Sequence, residues 1–428
     1  MSEARARLER VFRAALAAVD PEPLTRAAAV ERIDRPVRVL AAGKAAGGMA
    51  TGLLGVGSVR VVEGLAVTRD GHAPAPPPLR TRFAAHPLPD HRSAAAGCEA
   101  RAVAARCRAD EDFVVLLSGG ASALLSEPEP PLGVEDLRET TRVLLAAGAD
   151  IGTLNAVRKH LTRVSGGRLA RAARRAHRVL VLVVSDVLGD DLATIGSGPC
   201  VGDPTSFAEA ICGAKAHGAW EALPPAVRVH LIRGSEGAIA ESLEAGDPAL
   251  ARVETRLLAS NGLALRAAAV AARAEGSSAM ILTDRLSGEA RAAGSRLAAL
   301  AAASRPSGRL LLLAGGETTV TVLGPGRGGR AQELALAAAL HWHRARPDSR
   351  VALLSAGTDG SDGPTDAAGA FADSATVARG QRAGVDAQTA LAANDAYRFF
   401  AAEGGLLRTG PTGTNVMDLA LIEIAGSP

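Results

Sequence analysis

The segment Val37-Arg-Val-Leu-Ala-Ala-Gly-Lys-Ala-Ala-Gly-Gly-Met49 joins a short apolar strand to a helix of small residues through a glycine turn. A similar apolar run followed by a glycine-containing loop recurs at residues 113–122, 178–191, 309–317 and 351–373. Apolar runs without polar alternation predict strands that are buried on both faces, as in parallel sheets covered by helices. We therefore expect an α/β fold in which strands and helices alternate in both halves of the chain.

The length of the chain predicts two domains. A chain of 428 residues exceeds one hydrophobic core of ordinary size. The density of strand and loop motifs drops before Pro248, so we expect domains at residues 1–248 and 249–428. A strand at residues 256–259 is expected to open the second half, and the alternating residues 319–323 predict a half-exposed strand.

The composition excludes several classes of protein. Hydrophobic residues make up 47% of the chain but aromatic residues only 2%, and the net charge of +3 is scattered. A nucleic-acid site needs clustered cations and usually stacking aromatics, so a small molecule is the expected partner. The sequence shows no signal-peptide core and no run of about 18 apolar residues, which favours a cytoplasmic protein without membrane attachment. The four cysteines lack the spacing of a metal site.

Lysine is rare in this chain, since only Lys44, Lys159 and Lys215 occur among 48 basic residues. In such an arginine-rich sequence, a lysine suggests a site that needs a compact ammonium group. Lys44 follows Gly43 at a predicted helix start, where backbone N–H groups and the helix dipole favour an anion. The motif is neither a Walker A loop nor a dinucleotide fingerprint. Taken alone, this motif is about as typical of an ordinary structural turn as of an anion-binding site.

Carboxylates concentrate in two of the loops. Asp186 ends the valine-rich strand, and Asp190 and Asp191 follow it closely. Asp186 is a candidate general base, whereas Asp190 and Asp191 are either metal-site residues or helix caps. The stretch from Ser355 to Asp373 holds four aspartates and four glycines. Crowded carboxylates repel one another, so we expect a cation or a charged ligand there.

Glycine turns that carry hydroxyl or basic side chains supply the remaining candidates. Ser118-Gly-Gly-Ala-Ser122 offers hydroxyl and amide groups to a phosphate, and the turn at residues 324–330 brings two arginines to glycine backbone. Glu317 is either a metal ligand or the partner of an arginine. Basic side chains, carboxylates and glycine amides together match phosphoryl transfer. This set of residues matches hydride transfer poorly, and no Gly-x-Ser-x-Gly elbow is present.

These motifs resemble those of the class II glycerate 2-kinases, whose C-terminal part is called the MOFRL domain. The resemblance extends from about residue 8 to residue 420. The matching pieces include Ala42-Gly-Lys-Ala-Ala46, His86-Pro-Leu-Pro-Asp90, Leu117-Ser-Gly-Gly-Ala-Ser-Ala-Leu124, Leu154-Asn-Ala-Val-Arg-Lys-His160, Ser185-Asp-Val-Leu-Gly-Asp-Asp191, Ile195-Gly-Ser-Gly-Pro199, Gly328-Gly-Arg-Ala-Gln-Glu-Leu334 and Thr409-Gly-Pro-Thr-Gly-Thr-Asn415.

The resemblance implies a fold and a reaction. Residues 1–248 would form a three-layer Rossmann-like domain, residues 249–428 a MOFRL-type α/β domain, and the active site would occupy the interdomain cleft. The enzyme would transfer the γ-phosphoryl group of ATP, with Mg²⁺, to the C2 hydroxyl of D-glycerate and form 2-phosphoglycerate. D-Glycerate and ATP would be its partners, with neither nucleic acid nor membrane, and a homodimer is left open.

The resemblance also marks Lys44 and Arg330 as functional residues, and Asp186 is added as the group that accepts or orients the C2 hydroxyl proton. Either Arg158 or Arg330 would hold the substrate carboxylate. Candidate substrate- and phosphate-binding residues are Ser118, Gly119, Gly120, Ser122, Asn155, Arg158, Gly326, Gly328 and Gly329. Candidate metal ligands are Asp190, Asp359 and Glu317.

The sequence departs from the family pattern in two places, and two other functions compete. Ala331 stands where the family commonly has asparagine, and Cys200 and Gly202 lie in a stretch that usually reads Gly-Pro-Thr-Val-Pro-Asp-Pro. An NAD(P)H-dependent hydroxypyruvate reductase is the first alternative, because relatives often carry that label. A non-catalytic metabolite sensor is the second, although a sensor need not keep the full set of charged residues.

Overall fold

The computed structural model describes residues 2–346 and 350–426. The chain divides into two compact units, Pro21–Leu258 (the first unit) and Met1–Asp20 with Ala259–Pro428 (the second unit). This division differs from the expected boundary near Pro248, and it assigns the N-terminal segment to the second unit. Helix α1 (Ser2–Ala18) belongs there because Arg7 pairs with Glu423 at 2.7 Å.

The first unit is built on a six-stranded sheet. The strands at its centre are apolar and buried, as the sequence predicted. Short 3₁₀ turns lie at Ile195–Ser197, Trp220–Ala222 and Pro248–Leu250. In chain order the other elements are α2 (Pro21–Arg32), β1 (Val37–Ala42), α3 (Ala46–Leu54), β2 (Val61–Arg69), β3 (Arg80–Ala84), α4 (His91–Ala105), β4 (Asp112–Leu117), α5 (Ala121–Leu124), α6 (Val134–Ala146), α7 (Ile151–Leu161), α8 (Arg168–Ala172), β5 (Arg178–Val184), α9 (Phe207–Ala216), α10 (Pro225–Ser235) and β6 (Val253–Ala259).

The strand order of this sheet is β3-β2-β1-β4-β5-β6, and the pairs β3–β2, β2–β1, β1–β4 and β4–β5 are parallel. The order reverses between β1 and β4, which makes their carboxyl ends a topological switch point, the usual ligand site of such sheets. This arrangement confirms the expected Rossmann-like fold. Strand β6 lies at the edge of this sheet, although the sequence suggested that it opens the second half.

The second unit contains a mixed six-stranded sheet with the order β11-β10-β9-β12-β8-β7. Strands β7 and β8 pair in parallel, and the other pairs are antiparallel. Alanines and leucines of α12 and α13 pack in the core beside this sheet, which suits a chain poor in aromatic residues. The elements are α11 (Asn261–Ala274), β7 (Ser278–Leu286), α12 (Ala290–Ala303), β8 (Arg309–Gly316), α13 (Arg330–Ala345), β9 (Arg350–Gly357), β10 (Gly369–Asp373), α14 (Thr376–Arg382), α15 (Ala387–Ala392), α16 (Ala396–Glu403), β11 (Leu406–Leu407) and β12 (Asp418–Ala425).

The strand predicted at residues 319–323 does not form, and within this described segment only Thr319 makes an isolated bridge. The N–H and hydroxyl groups of Thr321 donate to the Glu289 carboxylate, at 3.3 and 2.7 Å. The N–H of Leu323 donates to Asn394 Oδ1 at 2.7 Å. The prediction was wrong because side chains, which alternation does not reveal, accept the hydrogen bonds that a neighbouring strand would otherwise take.

No helix among residues 2–346 and 350–426 is both long enough and apolar enough to cross a membrane.

Candidate functional site

Hydrogen bonds join the carboxyl ends of β1 and β4 at the switch point. The N–H of Lys44 donates to the carbonyl oxygen of Gly119 at 2.9 Å, and the N–H of Ala45 donates to Ser118 Oγ at 3.0 Å. Gly43 has φ of +118°, and a Cβ atom there would collide with Ser118. Only glycine allows the backbone at position 43 to lie this close to Ser118. The predicted role of Ser118 is thus partly structural, because its hydroxyl group fixes the turn that presents Lys44.

The Lys44 ammonium is available to a ligand. Its side chain is half-buried and makes neither a hydrogen bond nor an ion pair with the described residues. The other two lysines are occupied, since Lys159 is buried and bonds Asp203 at 3.1 Å, while Lys215 lies over the Trp220 ring at 5.5 Å. A desolvated cation without a carboxylate partner attracts an anion more strongly than an exposed one.

Arg158 and His86 add to this environment. Burial lowers the pKa of the half-buried Arg158 to about 10, and no side chain in the described part of the chain pairs with its guanidinium. Burial, followed by the charges of Lys44, Arg69 and Arg158, lowers the pKa of His86 to about 4. The His86 ring is therefore neutral at pH 7 and can accept a hydrogen bond. The sequence motif contained His86, but no role was predicted for it.

Gly119 and Gly120 complete the turn. A Cβ atom on Gly119 would collide with the carboxylate of Asp186, which shows that this side chain lies against the glycine backbone. Gly120 has φ of +88°, and a Cβ atom there would lie 3.3 Å from Nε2 of His86 and 3.7 Å from Cγ of Lys44. The switch point therefore brings together five predicted residues, namely Lys44, Ser118, Gly119, Gly120 and Asp186.

Ser122 and Asn155, two predicted binding residues, meet through Ser197. The hydroxyl oxygen of Ser197 lies 2.8 Å from Ser122 Oγ and 3.1 Å from Asn155 Oδ1. Asn155 is only 4% exposed. Its Nδ2 has no hydrogen-bond partner among residues 2–346 and 350–426.

The two aspartates that follow Asp186 have different environments. Asp191 accepts a hydrogen bond from the N–H of Ala193 at 3.1 Å and one from the hydroxyl of Thr194 at 2.6 Å, so its carboxylate stabilises a turn. Asp190 is half-buried and has φ of +57°, a conformation that aspartate adopts more readily than most residues. Of the pair, Asp190 is the one whose carboxylate is not used by this turn.

In the second unit, two carboxylates hold the side chain of Arg330. Its Nε and Nη2 donate to the two oxygens of Asp418, at 2.6 and 3.1 Å, and its Nη1 pairs with Glu317. Glu317 therefore follows the second of its two predicted alternatives, the pairing with an arginine. Burial raises the pKa of the Asp418 carboxyl even though Arg330 opposes that shift. Sequence reasoning missed Asp418.

Asp362 occupies the amino end of α13. Its two carboxylate oxygens accept hydrogen bonds from the N–H groups of Ala331 and Gln332, at 3.0 and 2.8 Å. The carboxylate also lies against Gly329, where a Cβ atom would collide with it. The first N–H groups of α13 thus bind a side chain of the protein itself. Ala331, where the resemblance leads one to expect asparagine, is buried.

We expect Asp362 to make stability depend on pH. Burial, followed by the charge of Asp418, raises the pKa of Asp362 to about 7, whereas an unfolded aspartate titrates near about 4. Between these values the folded protein keeps a proton that the unfolded chain releases, so this residue lowers the free energy of unfolding as the pH rises. In thermal unfolding from about pH 4 to 7, Asp362→Asn should lose less stability than the unsubstituted protein. Equal losses would contradict this assignment.

Arginine side chains neutralise two of the aspartates in residues 355–373. Asp366 accepts a hydrogen bond from Arg408 Nε at 3.0 Å, and Asp373 pairs with Arg379 at 2.8 Å. The expectation that a bound cation or ligand relieves the crowded carboxylates is wrong for these two, because the protein supplies the positive charge.

A cleft of about 630 Å³ lies within the second unit. Five predicted residues line it, namely Gly326, Gly328, Gly329, Arg330 and Asp359. A volume of this size suits a small-molecule ligand. The predicted glycine turn and one predicted metal ligand, Asp359, therefore line the same cleft.

The glycine turn offers fewer amides to a ligand than its sequence suggests. The N–H of Gly326 donates to the carbonyl oxygen of Ala393 at 3.0 Å, and the N–H of Gly324 donates to Asn394 Oδ1 at 3.0 Å. The N–H groups of Gly328 and Gly329 have no acceptor in the part of the chain that the structure describes. These two amides are the ones that can bind a phosphate oxygen.

Comparison with known proteins agrees with the motifs. Residues 7–232 match a family described as a domain of unknown function, DUF4147, and residues 310–418 match the MOFRL family. The glycerate 2-kinase of Pyrococcus horikoshii is 39% identical over 391 residues, which cover 90% of this chain and 86% of that protein. A protein of Agrobacterium vitis named as a candidate hydroxypyruvate reductase is 39% identical over 98% of this chain and 94% of its own length.

The fold of a solved relative covers nearly the whole chain. The crystal structure of glycerate kinase from Thermotoga maritima matches with a TM-score of 0.87 and 34% identity, covering 99% of this chain and 100% of that chain. Both the sequence relatives and this structure extend over the two units. The chain belongs to the glycerate 2-kinase family.

Proposed function

We propose that this protein is an ATP-dependent glycerate 2-kinase that phosphorylates the C2 hydroxyl of D-glycerate. The observation that carries the proposal is the pair of cations Lys44 and Arg158, which have no carboxylate partner among the described residues. Both charges act on the neutral ring of His86. An anionic substrate would supply the negative charge that these two cations lack. The relatives named as glycerate 2-kinases indicate that this anion is D-glycerate.

Arg158 is the better of the two candidates for the substrate carboxylate. Arg330 already pairs with Asp418 and Glu317, whereas Arg158 has no such partner in residues 2–346 and 350–426. An arginine fork matches the two oxygens of a carboxylate, and Lys44 acts as a point charge on the transferring phosphoryl oxygens. In this assignment Arg158 binds the substrate carboxylate and Lys44 binds the phosphoryl oxygens.

Asp186 accepts the proton of the C2 hydroxyl group. As the C2 oxygen forms its bond to the γ-phosphorus, the bond between that phosphorus and the bridging oxygen breaks, and the electron pair leaves on ADP. The hydroxyl proton passes to the Asp186 carboxylate, which lies against Gly119 beside the turn that presents Lys44. Positioning and charge neutralisation dominate catalysis of this reaction class.

Replacing Gly119 by alanine tests the place of Asp186. The new Cβ atom would displace the Asp186 carboxylate, while the backbone of Gly119 is not in the left-handed region. We expect kcat to fall about 100-fold, since a general base contributes at least that much, with little change in melting temperature. Gly57→Ala is the control, because nothing lies within 4 Å of a Cβ atom there. A kcat within twofold of the unsubstituted value would rule out this role.

The nucleotide binds in the cleft of the second unit in this proposal. The free N–H groups of Gly328 and Gly329 would donate to phosphate oxygens of the nucleotide, as glycine amides do in other phosphate sites. The cleft volume of about 630 Å³ accommodates a ligand of that size.

Mg²⁺ fits this site as an ion that arrives with the nucleotide. No group of three or more His, Cys, Asp or Glu with the geometry of a metal site occurs among the described residues. Magnesium at nucleotide sites is usually held by one or two carboxylates together with phosphate oxygens and water, so single carboxylates suffice. Asp359, which lines the cleft, would hold it there, and Asp190 of the first unit stays a separate candidate ligand. When bound, it neutralises phosphate charge.

Two assays distinguish this proposal from the reductase. We expect ADP to form from MgATP only when D-glycerate is added, and NADH absorbance to stay constant when hydroxypyruvate is added. Oxidation of NADH without any glycerate-dependent ADP would overturn the proposal in favour of a hydroxypyruvate reductase. If neither reaction occurs but D-glycerate binds, the protein is a sensor.

A further inference from the structure

Three consecutive residues adopt the left-handed conformation in the turn that follows Asp191. Gly196, Ser197 and Gly198 have φ of 60°, 59° and 58°. Glycine takes this conformation at no steric cost, but a serine there is sterically strained. A serine held between two such glycines therefore needs a compensating role for its side chain, and strain of this kind clusters at functional sites.

The hydroxyl group of Ser197 has two partners. It lies 3.1 Å from Asn155 Oδ1 and 2.8 Å from Ser122 Oγ. An amide oxygen only accepts hydrogen bonds, so Ser197 donates its single proton to Asn155 and accepts the proton of Ser122. This network fixes the orientation of the Asn155 amide, with Nδ2 turned away from Ser197.

The Nδ2 group of Asn155 is then a buried donor without an acceptor. No described residue bonds to it, and Asn155 is 4% exposed. Leaving such a group unsatisfied is costly, so an acceptor from a ligand would be favoured. Arg158 lies three residues further along α7, on the same face of the helix. The charge of Arg158 acts on His86, which lies beside Gly120 and Lys44.

We propose that Ser197 is a positioning residue, which orients the Asn155 amide so that its N–H group donates to an anionic oxygen of the substrate. This inference rests on the proposed function for the identity of the substrate, D-glycerate. Asn155 contacts the substrate, and Ser197 acts only through Asn155. The strain in the backbone of Ser197 is retained because glycine, which would relieve it, cannot supply the hydroxyl group.

The substitution Ser197→Gly distinguishes a positioning role of Ser197 in substrate binding from a role in stabilising the fold. Glycine suits a φ of 59° better than serine does, but its lack of a hydroxyl leaves the buried Asn155 Oδ1 without a donor. These two effects oppose each other, so the melting temperature should change little. The dissociation constant for D-glycerate, measured by calorimetry on the full chain, should increase about tenfold, as expected for one hydrogen bond to a charged group. The KM for D-glycerate should rise in parallel, and kcat should change less than KM.

Two further variants test the route through Asn155. In an Asn155→Ala background, Ser197→Gly should change the dissociation constant less than twofold, because the residue it positions is already gone. Asn155→Asp should bind D-glycerate worse than the unsubstituted protein, since a carboxylate repels the anion that an amide N–H attracts. Fully additive effects, unchanged affinity in Ser197→Gly or retained affinity in Asn155→Asp would each overturn the inference.

The binding measurement keeps this inference separate from the proposed function. If the protein binds D-glycerate but does not phosphorylate it, the proposed kinase activity is wrong, while the effect of Ser197→Gly on binding still decides the role of Ser197. A protein that does not bind D-glycerate would contradict both.

Discussion

Replacing Lys44 by alanine will lower kcat/KM for D-glycerate by about 1,000-fold and leave the melting temperature nearly unchanged. Loss of one preorganised group that stabilises transition-state charge has about this effect. The stability should persist because the Lys44 ammonium bonds to no described residue, so its removal leaves no buried partner unpaired. Steady-state kinetics and thermal unfolding of the same preparation measure both quantities.

The other two lysines are matched controls for this variant. Lys159→Ala should destabilise the protein by roughly 3 kcal/mol, because it leaves the buried Asp203 carboxylate without its ion-pair partner. Lys215→Ala should change neither activity nor stability by much, since this side chain makes an exposed contact with Trp220. A Lys44 variant that behaves like Lys159→Ala, with a large fall in stability, would show that Lys44 is structural.

Replacing Arg330 by methionine will damage both stability and activity. The substitution removes a bidentate partner of Asp418, whose side chain is 14% exposed, and the cost should be roughly 3 kcal/mol. Activity should fall by about 100-fold or more, because Arg330 lines the proposed nucleotide cleft. The single variant cannot separate these two effects.

The double variant Arg330→Met with Asp418→Asn separates them. Removing the carboxylate together with its arginine should recover much of the lost stability, since no buried charge remains unpaired. Asp418→Asn alone is the control for any direct effect of that residue on catalysis. If the double variant regains both stability and activity, Arg330 is only structural.

Local patterns in the sequence were sufficient to predict the strands that meet at the switch point. The buried strands β1, β4 and β5 follow from continuous apolar runs, and the residues just after them, such as Lys44 and Asp186, follow from chain connectivity. Parallel strands place their carboxyl ends at one edge of the sheet. The sequence therefore placed Lys44 and Asp186 just after predicted strands, whereas the strand order that brings these strand ends together came from the structure.

Local sequence patterns could not predict ion pairs between residues that lie far apart in the chain. Asp418 lies 88 residues further along the chain than Arg330, and no local pattern marks it. The aspartate-rich loop looked like a cation site because its arginine partners, such as Arg379 and Arg408, lie outside it. Sequence gives the charges of a loop, but only the fold shows which of them are already neutralised.

The backbone strain at Ser197 could not be predicted from the sequence either. A Gly-Ser-Gly sequence predicts a turn, but not that the serine shares the left-handed conformation of its neighbours. Nor does it predict that the hydroxyl reaches Asn155, 42 residues earlier in the chain.

The position of the transferred phosphoryl group tests the proposed function most directly. The protein would be incubated with ATP, Mg²⁺ and D-glycerate, and the isolated product offered to enolase with and without phosphoglycerate mutase. We predict that enolase alone consumes the product, which identifies it as 2-phosphoglycerate. A product that enolase consumes only after mutase treatment would be the 3-isomer, and it would contradict the placement of the C2 hydroxyl group beside Asp186.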